Sequence, residues 1–301
     1  MVVRDEAHQL VECLAPVVDQ FDQVVVVDTG SRDGTPQLLL DRFGIKVLHR
    51  GLDENRCGCL CDSRHDGLAR LTTPWVMLLD ADERIEPRAL ERVRALPDDP
   101  KMAGYFGRWL NRVEGEPDFD DYKLFLFRNG LRPLGLVHDV VQLDIRSCGL
   151  YAGWLAGLDV LHLPAAGRRQ SKADRYRQRL LCAIDLQPDF YRYHWFLGYM
   201  EFRAGDWQRS AELLSQVTEA GSEQFPVEYL NSAMVLAELC ARQQDGAAVE
   251  RILSRARAFY KEVAEDFEVR VNVRLGPWLE TAWENLHHGG MDRIRAYRFA
   301  C

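Results

Sequence analysis

The sequence predicts an α/β domain with a doubly wound, Rossmann-like sheet, followed by an all-α domain of helical repeats. In the first half, short apolar runs rich in β-branched residues alternate with stretches of helical periodicity, which is typical of a parallel sheet covered by helices. From about residue 168 onward, amphipathic helical segments follow one another with short breaks. We therefore expect one domain over residues 1–166 and a second over residues 167–301.

The elements of the first half can be placed in order along the chain. Val24 to Val27 is a continuous apolar run that ends in the turn residues Asp28 to Ser31, so we expect a buried strand there. The run Trp75 to Leu79 has the same character and stops at Asp80. Around these runs the sequence predicts helices at 6–20, 35–43 and 62–71, a strand at 46–48, and further strands at 122–127, 137–143 and 158–163.

The second half is predicted to be a series of helices. Leu197-Gly198 followed by Gly205-Asp206-Trp207 resembles one tetratricopeptide repeat, although Glu201 and Ser210 depart from its pattern. Such repeats offer a surface for a protein partner or for self-association. Helices are predicted at 175–186, 191–203, 207–218, 227–243 and 247–263.

Composition restricts the class of protein. The 301 residues carry a net charge of −8, and this acidic balance argues against nucleic acid as a partner, because phosphate binding needs clustered Lys and Arg. No apolar run approaches the roughly 20 residues that span a bilayer, so we expect no transmembrane segment. The charged N-terminal segment does not resemble a signal peptide, and mostly scattered cysteines suit a reducing compartment, which together predict a cytoplasmic protein.

Polar residues follow three of the predicted strands, where ligands of parallel α/β sheets bind. The most informative is Asp80-Ala81-Asp82, because two carboxylates at the end of a buried strand are costly unless they are neutralised. Mn²⁺ or Mg²⁺ prefers such oxygen ligands and can neutralise a departing diphosphate. The alternative is that Asp82 or Glu83 caps the next helix, near Pro87.

Asp28 has two interpretations that can hold together. Its carboxylate can accept hydrogen bonds from a nucleobase or a ribose, or it can close an Asx turn into Gly30 and Ser31.

Two motifs carry a family resemblance. VVVDTGSRDGT at 25–35, followed by WVMLLDADE at 75–83, resembles family 2 glycosyltransferases, which have the A-type nucleotide-diphospho-sugar transferase fold. The branch it resembles carries helical repeats and includes peptide S-glycosyltransferases of bacteriocin pathways; the likeness covers about residues 1–220. It implies metal-dependent transfer of a sugar, with inversion, from a nucleotide diphosphate sugar that we expect to be a UDP-sugar. The acceptor implied is a glycan, a lipid-linked glycan or a peptide.

The resemblance assigns donor-binding roles to individual residues. Arg4 and Glu6 match a basic-Asn-Glu element at the nucleotide, with Asp5 in place of the usual Asn. Asp28 matches the base-contacting aspartate. Arg64 matches a diphosphate contact, although the following His65 departs from the family's Asn.

Further roles concern the metal. Asp80, Ala81 and Asp82 match the ribose-and-metal motif, with Asp82 as the direct ligand. His162 matches an Ile-x-His element and can complete the metal shell as a neutral imidazole, or can instead be a partly buried histidine bonded to backbone.

Inverting transfer also needs a carboxylate base. Asp139 is the candidate, because Val137-His138-Asp139 matches a Val-His-Glu element near the acceptor. Asp120 and Asp121 are rivals, and a loop or cap role for Asp139 remains open. Roles for His138 and Arg128 are also open; Arg128 either faces the phosphates or is a solvated strand residue.

The departures keep an alternative function open. Only three residues precede Arg4, so the first strand is short, and Asp5, His65 and Asp139 all differ from the family pattern. The alternative is a helical-repeat interaction scaffold with a degenerate, inactive glycosyltransferase domain. A nucleotidyltransferase would need a Gly-rich triphosphate loop, and residues 4–20 contain none.

Two further patterns receive structural interpretations. Cys57, Cys59 and Cys61 do not give the four paired ligands of structural zinc sites. The family resemblance implies a variable loop over the donor site here, so we expect a flexible lid. The aromatic group Tyr191, Tyr193, Trp195 and Trp207 is expected to be core between repeat helices rather than a sugar platform.

Overall fold

The computed structural model describes residues 1–53, 56–164, 169–220 and 223–299. Contacts between Cα atoms divide the chain into two compact units, residues 1–173 and 174–301. The predicted boundary between residues 166 and 167 lies outside the described residues. No helix in the described part of the chain is both long and apolar enough to cross a membrane.

The first unit contains short parallel strands followed by a longer mixed sheet. Its elements are β1 (Val2–Val3), α1 (Ala7–Leu14), β2 (Val27–Asp28), α2 (Thr35–Phe43), β3 (Leu48–His49), α3 (Cys61–Leu68), β4 (Trp75–Met77), β5 (Glu83–Ile85), α4 (Pro87–Arg94), β6 (Met102–Asn111), β7 (Phe119–Arg128), α5 (Gln142–Ser147) and β8 (Tyr151–His162).

These strands form two sheets. The first has the order β1-β2-β3 and is parallel, and the second has the order β4-β7-β6-β8-β5. In the second sheet only β6 and β8 run parallel, whereas the other pairs are antiparallel. One apolar core, which includes Leu10, Leu39, Phe125 and Val160, joins residues from both sheets.

Several predicted elements differ in detail. The strand expected at Val24 to Val27 is observed at Val27–Asp28, and β4 pairs antiparallel with β7 rather than with a parallel neighbour. The strand expected at 137–143 is wrong: Val140 makes only an isolated bridge to Leu134, and α5 begins at Gln142. An apolar run shows that a segment is buried, but it does not specify which strand it pairs with.

The end of β4 leads into a turn, not into a helix cap. Glu86 occupies the N-cap position of α4, while Glu83 opens β5. The alternative in which Asp82 or Glu83 caps the next helix is therefore wrong.

Strand register concentrates polar residues at one end of the second sheet. His162, the last residue of β8, lies opposite Glu83 of β5 on one side and opposite Asn111 of β6 on the other. Trp109 lies opposite Asp121 of β7, two residues from Lys123. The sheet thus brings together side chains that are far apart in sequence.

The second unit is helical, as predicted. Tyr193 and Trp195 are buried core residues, which confirms the expectation for them. Trp207 is 46% exposed, so the expectation that it is core is wrong; it begins its helix, and the Arg242 guanidinium lies 5.1 Å from its ring. The helices are α6 (Arg169–Leu186), α7 (Arg192–Ala204), α8 (Trp207–Ala220), α9 (Pro226–Arg242), α10 (Gly246–Glu262), α11 (Phe267–Val271) and α12 (Leu275–Glu284).

Gly107 lies in β6, where Leu158 of β8 packs very close to it. A substitution at Gly107 therefore tests the packing of the second sheet. A Cβ atom there would lie 2.4 Å from the Leu158 carbonyl oxygen and 3.0 Å from a ring carbon of Phe125. We expect Gly107→Ala to lower the free energy of unfolding by about 1–3 kcal/mol, because the neighbouring strand must shift. Urea unfolding measures this change, and Gly51→Ala is the control, since a Cβ atom added at Gly51 would have no neighbour within 4 Å. Equal effects of the two substitutions would contradict the packing described.

Candidate active site

The acidic strand end is held by a lysine from a neighbouring strand. The Lys123 ammonium lies 3.1 Å from Asp80 Oδ2 and 2.6 Å from Glu83 Oε1. The ring centroids of Trp109 and Phe125 lie 5.3 and 5.2 Å from Nζ. The Asp80 backbone N–H donates to Glu83 at 2.9 Å, which closes the turn. The Lys123 ammonium therefore bonds both carboxylates, which the turn after β4 brings close together.

This ion-pair cluster shifts the pKa values of its members. Burial alone would raise the pKa of Asp80, but Lys123 and Arg64 outweigh it, so this pKa lies well below its ordinary value. Burial raises the pKa of Glu83 despite the opposing charge of Lys123. Burial would lower the pKa of Lys123, but the two carboxylates raise it above its ordinary value. Lys123 is thus charged at neutral pH.

Asp82 points away from this cluster, toward His162. Asp82 Oδ2 lies 3.5 Å from His162 Nε2, and His162 Nδ1 lies 2.8 Å from Asn111 Oδ1. The Asn111 amide nitrogen donates to the Trp109 carbonyl at 3.0 Å, and the Trp109 ring packs 4.5 Å from the imidazole. Asn111 is only 2% exposed, so these contacts fix the orientation of the imidazole.

The orientation of Asn111 decides the tautomer of His162. Because the amide nitrogen is used by Trp109, the amide oxygen faces the ring and accepts the proton of Nδ1. In the neutral ring, Nε2 then carries a lone pair that faces the Asp82 carboxylate.

A carboxylate oxygen and an imidazole lone pair that face each other repel, and a cation bound between them removes this repulsion. Imidazole nitrogen and carboxylate oxygen both bind divalent ions, and a histidine ligand commonly donates its other N–H to a polar partner. Asp82 and His162 therefore fit a divalent cation, and Asn111 holds the imidazole in place. Asp80 contributes less directly, since its carboxylate is occupied by Lys123.

Arg64 and Asp139 form a second ion pair in the same region. Arg64 extends from α3, and its guanidinium bonds Asp139 Oδ1, while the Asp139 side chain is only 4% exposed. Asp139 Oδ2 is buried and has no hydrogen-bond partner. Burial raises the pKa of Asp139, and the charge of Arg64 lowers it only in part. Asp80 also acts on the pKa of both groups, so the two ion pairs lie close together.

The predicted nucleotide loops are tied to each other. Asp28 is 2% exposed, accepts hydrogen bonds from the N–H groups of Gly30 and Ser31, and lies 3.4 Å from His49. The Asx turn is therefore present. Ser31 in turn accepts the N–H of Asp5, which has a φ of 57°, a conformation that Asp and Asn both tolerate.

The other predicted donor residues flank these loops. Arg4 is exposed, and the Glu6 N–H donates to Thr35 Oγ1 at 2.9 Å. Ala81 is buried, and its carbonyl accepts a hydrogen bond at 2.8 Å from Arg84, which also contacts Glu12 of α1.

The remaining candidates lie in other contacts. Asp120 pairs with Arg112 at 3.2 Å, and Asp121 accepts the N–H of the adjacent Tyr122. Arg128 donates to the carbonyls of Met102 and Asp99, stacks over Trp75 and lies 3.7 Å from Asp98 Oδ1. His138 has a φ of 50°.

The cysteine segment packs inward. Cys57, Cys59 and Cys61 are buried, and the Sγ atoms of the last two are 3.1 Å apart. Together with Asp62 they form a group of possible ligands, but Arg56 bonds both oxygens of Asp62 at 2.9 Å. Three ligands, one of them occupied, do not make a structural zinc site. The lid role stays a prediction.

Sequence reasoning did not find Lys123, Asn111 or Trp109. Each is a single polar or aromatic residue in a strand, outside any motif. The one available signal is that Lys123 interrupts the apolar run of β7, where a charged residue requires a partner.

Comparisons with known proteins agree with the motifs. Residues 1–149 match the family described as Glycosyl transferase family 2. Over 304 aligned residues the chain is 28% identical to a TPR repeat-containing protein of Synechococcus elongatus, a match that covers 97% of this chain and 70% of the relative.

Solved structures that resemble this chain include TarS of S. aureus and a mannosyltransferase of Pyrobaculum calidifontis. S. aureus TarS 1–349 in complex with UDP is 12% identical, with a TM-score of 0.38 and coverage of 100% of this chain and 92% of that one. The mannosyltransferase PcManGT from Pyrobaculum calidifontis, in complex with GDP-Man and Mn²⁺, is 18% identical, with a TM-score of 0.44 and coverage of 88% and 86%. These scores are too low for residue-by-residue comparison.

The family match spans both motifs and the acidic strand end. This chain therefore carries a glycosyl transferase family 2 domain of the A-type fold at residues 1–149, and it is a glycosyltransferase.

Proposed function

We propose that the protein transfers a sugar, with inversion, from a UDP-sugar to a glycan, lipid-linked glycan or peptide acceptor, and that it depends on Mn²⁺ or Mg²⁺. The observation that carries this proposal is the alignment of Asn111, His162 and Asp82, in which His162 Nδ1 lies 2.8 Å from Asn111 Oδ1 and Nε2 lies 3.5 Å from Asp82 Oδ2.

Each group at the donor site has a role in the proposal. Asp82 and His162 hold the cation, whose charge neutralises the departing diphosphate when it is bound. Asp80 contacts the ribose and the cation, with Lys123 limiting the charge of the strand end. Arg64 binds the diphosphate, because a planar guanidinium suits phosphate oxygens. The nucleotide is positioned by the loops around Asp28, by the side chains of Arg4 and Glu6, and by the backbone next to Ala81.

Asp139 acts as the base toward the acceptor. Its buried carboxylate has a raised pKa, which makes it a stronger base than an exposed aspartate. It removes the proton of the acceptor nucleophile as that atom attacks the anomeric carbon, and the nucleotide diphosphate leaves from the opposite face.

The wider arrangement is part of the same proposal. The donor domain corresponds to residues 1–166, and residues 167–301 form a tetratricopeptide-like domain whose surface serves an acceptor protein, another partner or self-association. A cytoplasmic location is proposed on the sequence argument that scattered cysteines suit a reducing compartment.

The most direct test is a panel of nucleotide sugars assayed by nucleotide release with Mn²⁺. We expect Asp82→Ala to reduce turnover of the preferred donor by roughly 10²-fold or more, because charge stabilisation at the leaving diphosphate is lost. Asp98→Ala is the control, since that side chain is fully exposed. Equal release from every donor by wild type and Asp82→Ala would exclude the metal role.

The role of Asn111 can be separated from activity. We expect Asn111→Leu to weaken Mn²⁺ binding by about 10–100-fold, because the imidazole loses its fixed tautomer. Titration calorimetry in the presence of UDP measures the affinity directly. Asn129→Leu is the matched control, because Asn129 also bonds two backbone carbonyls, those of Leu71 and Thr73. If both variants lose affinity equally, the effect is structural and the assignment is wrong.

The base is tested by comparing three carboxylates. We expect Asp139→Asn to lower kcat by about 10²–10⁴-fold while the protein still binds the donor, because proton removal and not donor binding is lost. Asp120→Asn and Asp121→Asn should retain most of the wild-type kcat. A large loss in either of these, with Asp139→Asn near wild type, would move the base to that position.

A further inference from the structure

The guanidinium of Arg64 interacts with more than one anion. In this structure it bonds Asp139, and the charges of Asp80 and Glu83 also act on its pKa. The proposed function brings a further anion, the donor diphosphate, to the same cation. A guanidinium that fully engages a diphosphate has fewer N–H groups for a carboxylate.

Among the contacts that the structure describes, the Asp139 carboxylate has no second hydrogen-bond partner that could replace Arg64. Its Oδ1 bonds Arg64, its Oδ2 has no hydrogen-bond partner, and the side chain is nearly fully buried. The titratable groups that act on it are Arg64 and His65 of α3 and Asp80 of the acidic turn, and Asp139 in turn acts on Cys61. His65 is held by the Pro133 carbonyl at 2.8 Å. Loss of the Arg64 contact therefore leaves a buried, unpaired carboxylate.

We infer that Arg64 couples donor binding to base strength: it neutralises Asp139 in the donor-free enzyme and transfers to the diphosphate when the donor binds, which releases Asp139 to act as the base. The inference rests on the proposed function. It makes Arg64 a positioning residue for proton removal as well as a phosphate ligand.

Loss of the Arg64 contact changes the pKa of Asp139 in one direction. The pKa of Asp139 is already raised by burial, and removing the neighbouring positive charge raises it further. The added negative charge of the diphosphate acts in the same direction. A carboxylate whose pKa moves toward neutral pH is a more effective base, and its unpaired form exists only while the donor is bound. An acceptor that arrives before the donor therefore meets a weaker base than one that arrives after it.

Proton linkage measures this transfer without any acceptor. Calorimetric titration of wild type with UDP and Mn²⁺ at about pH 6.5, in two buffers of different ionisation heat, gives the number of protons bound per UDP. We expect wild type to bind more protons per UDP than Asp139→Asn, because the pKa of Asp139 rises when the guanidinium leaves it. The phosphates of UDP titrate equally with both proteins, so the difference isolates Asp139.

Matched variants and a matched ligand sharpen the result. Asp98→Asn should keep the wild-type value, because that carboxylate is exposed. Arg64→Gln should bind only as many protons per UDP as Asp139→Asn does, because Asp139 then has no guanidinium to lose. Uridine monophosphate, which lacks the second phosphate, should give a smaller difference between wild type and Asp139→Asn than UDP.

The outcomes are distinct. UDP binding with equal proton uptake by wild type and folded Asp139→Asn overturns the coupling but leaves the proposed function standing. Failure of wild type to bind any UDP overturns both. If Asp139→Asn does not fold, a crystal structure of wild type with UDP decides: Arg64 bonded to phosphate and parted from Asp139 supports the coupling, and an intact Arg64–Asp139 pair refutes it.

Discussion

The donor site depends on the burial of one carboxylate against one ammonium. Glu83 is completely buried at the start of β5, and Lys123 is the cation bonded to it. A buried carboxylate that loses its partner costs about 3–5 kcal/mol. Because Glu83 is also the register partner of His162, the same ion pair keeps the end of β8 in place. The positions of Asp82 and His162 therefore depend on a contact that neither residue makes.

Local patterns in the sequence were good guides to local structure. The Asx turn at Asp28 could be predicted because its donors and acceptor lie within three residues of one another. The long helices could be predicted because their apolar positions recur with the helical period, as in α9, expected at 227–243 and observed at Pro226–Arg242. The motif resemblance also named Asp82 and His162, which the structure brings within 3.5 Å.

Long-range pairing was beyond sequence reasoning. Alternation along a strand shows which residues share a face, but not which strand lies beside it, so the contact of Asn111 with His162 across β6 and β8 had no signal. The same limit explains the wrong strand at 137–143, where apolar residues are buried without pairing in a ladder. Lys123 was missed because its partners are 40 and 43 residues away.

The helical unit shows a related limit. Its core contains three buried glutamates, each paired with an arginine: Glu201 with Arg177, Glu228 with Arg192, and Glu238 with Arg242. Amphipathic periodicity predicts that these helices pack, but it assigns glutamate to the surface. Buried ion pairs seldom add much stability over apolar residues, and they can restrict which helix faces fit together.

The resident ammonium of Lys123 has a practical consequence for how the protein responds to chelators. In small zinc domains the ion is required for folding, and its removal unfolds the chain. Here Lys123 bonds Asp80 and Glu83, and the charge of Arg64 also acts on Asp80, so the acidic turn already has positive charge beside it. Protein prepared in EDTA should therefore retain its fold.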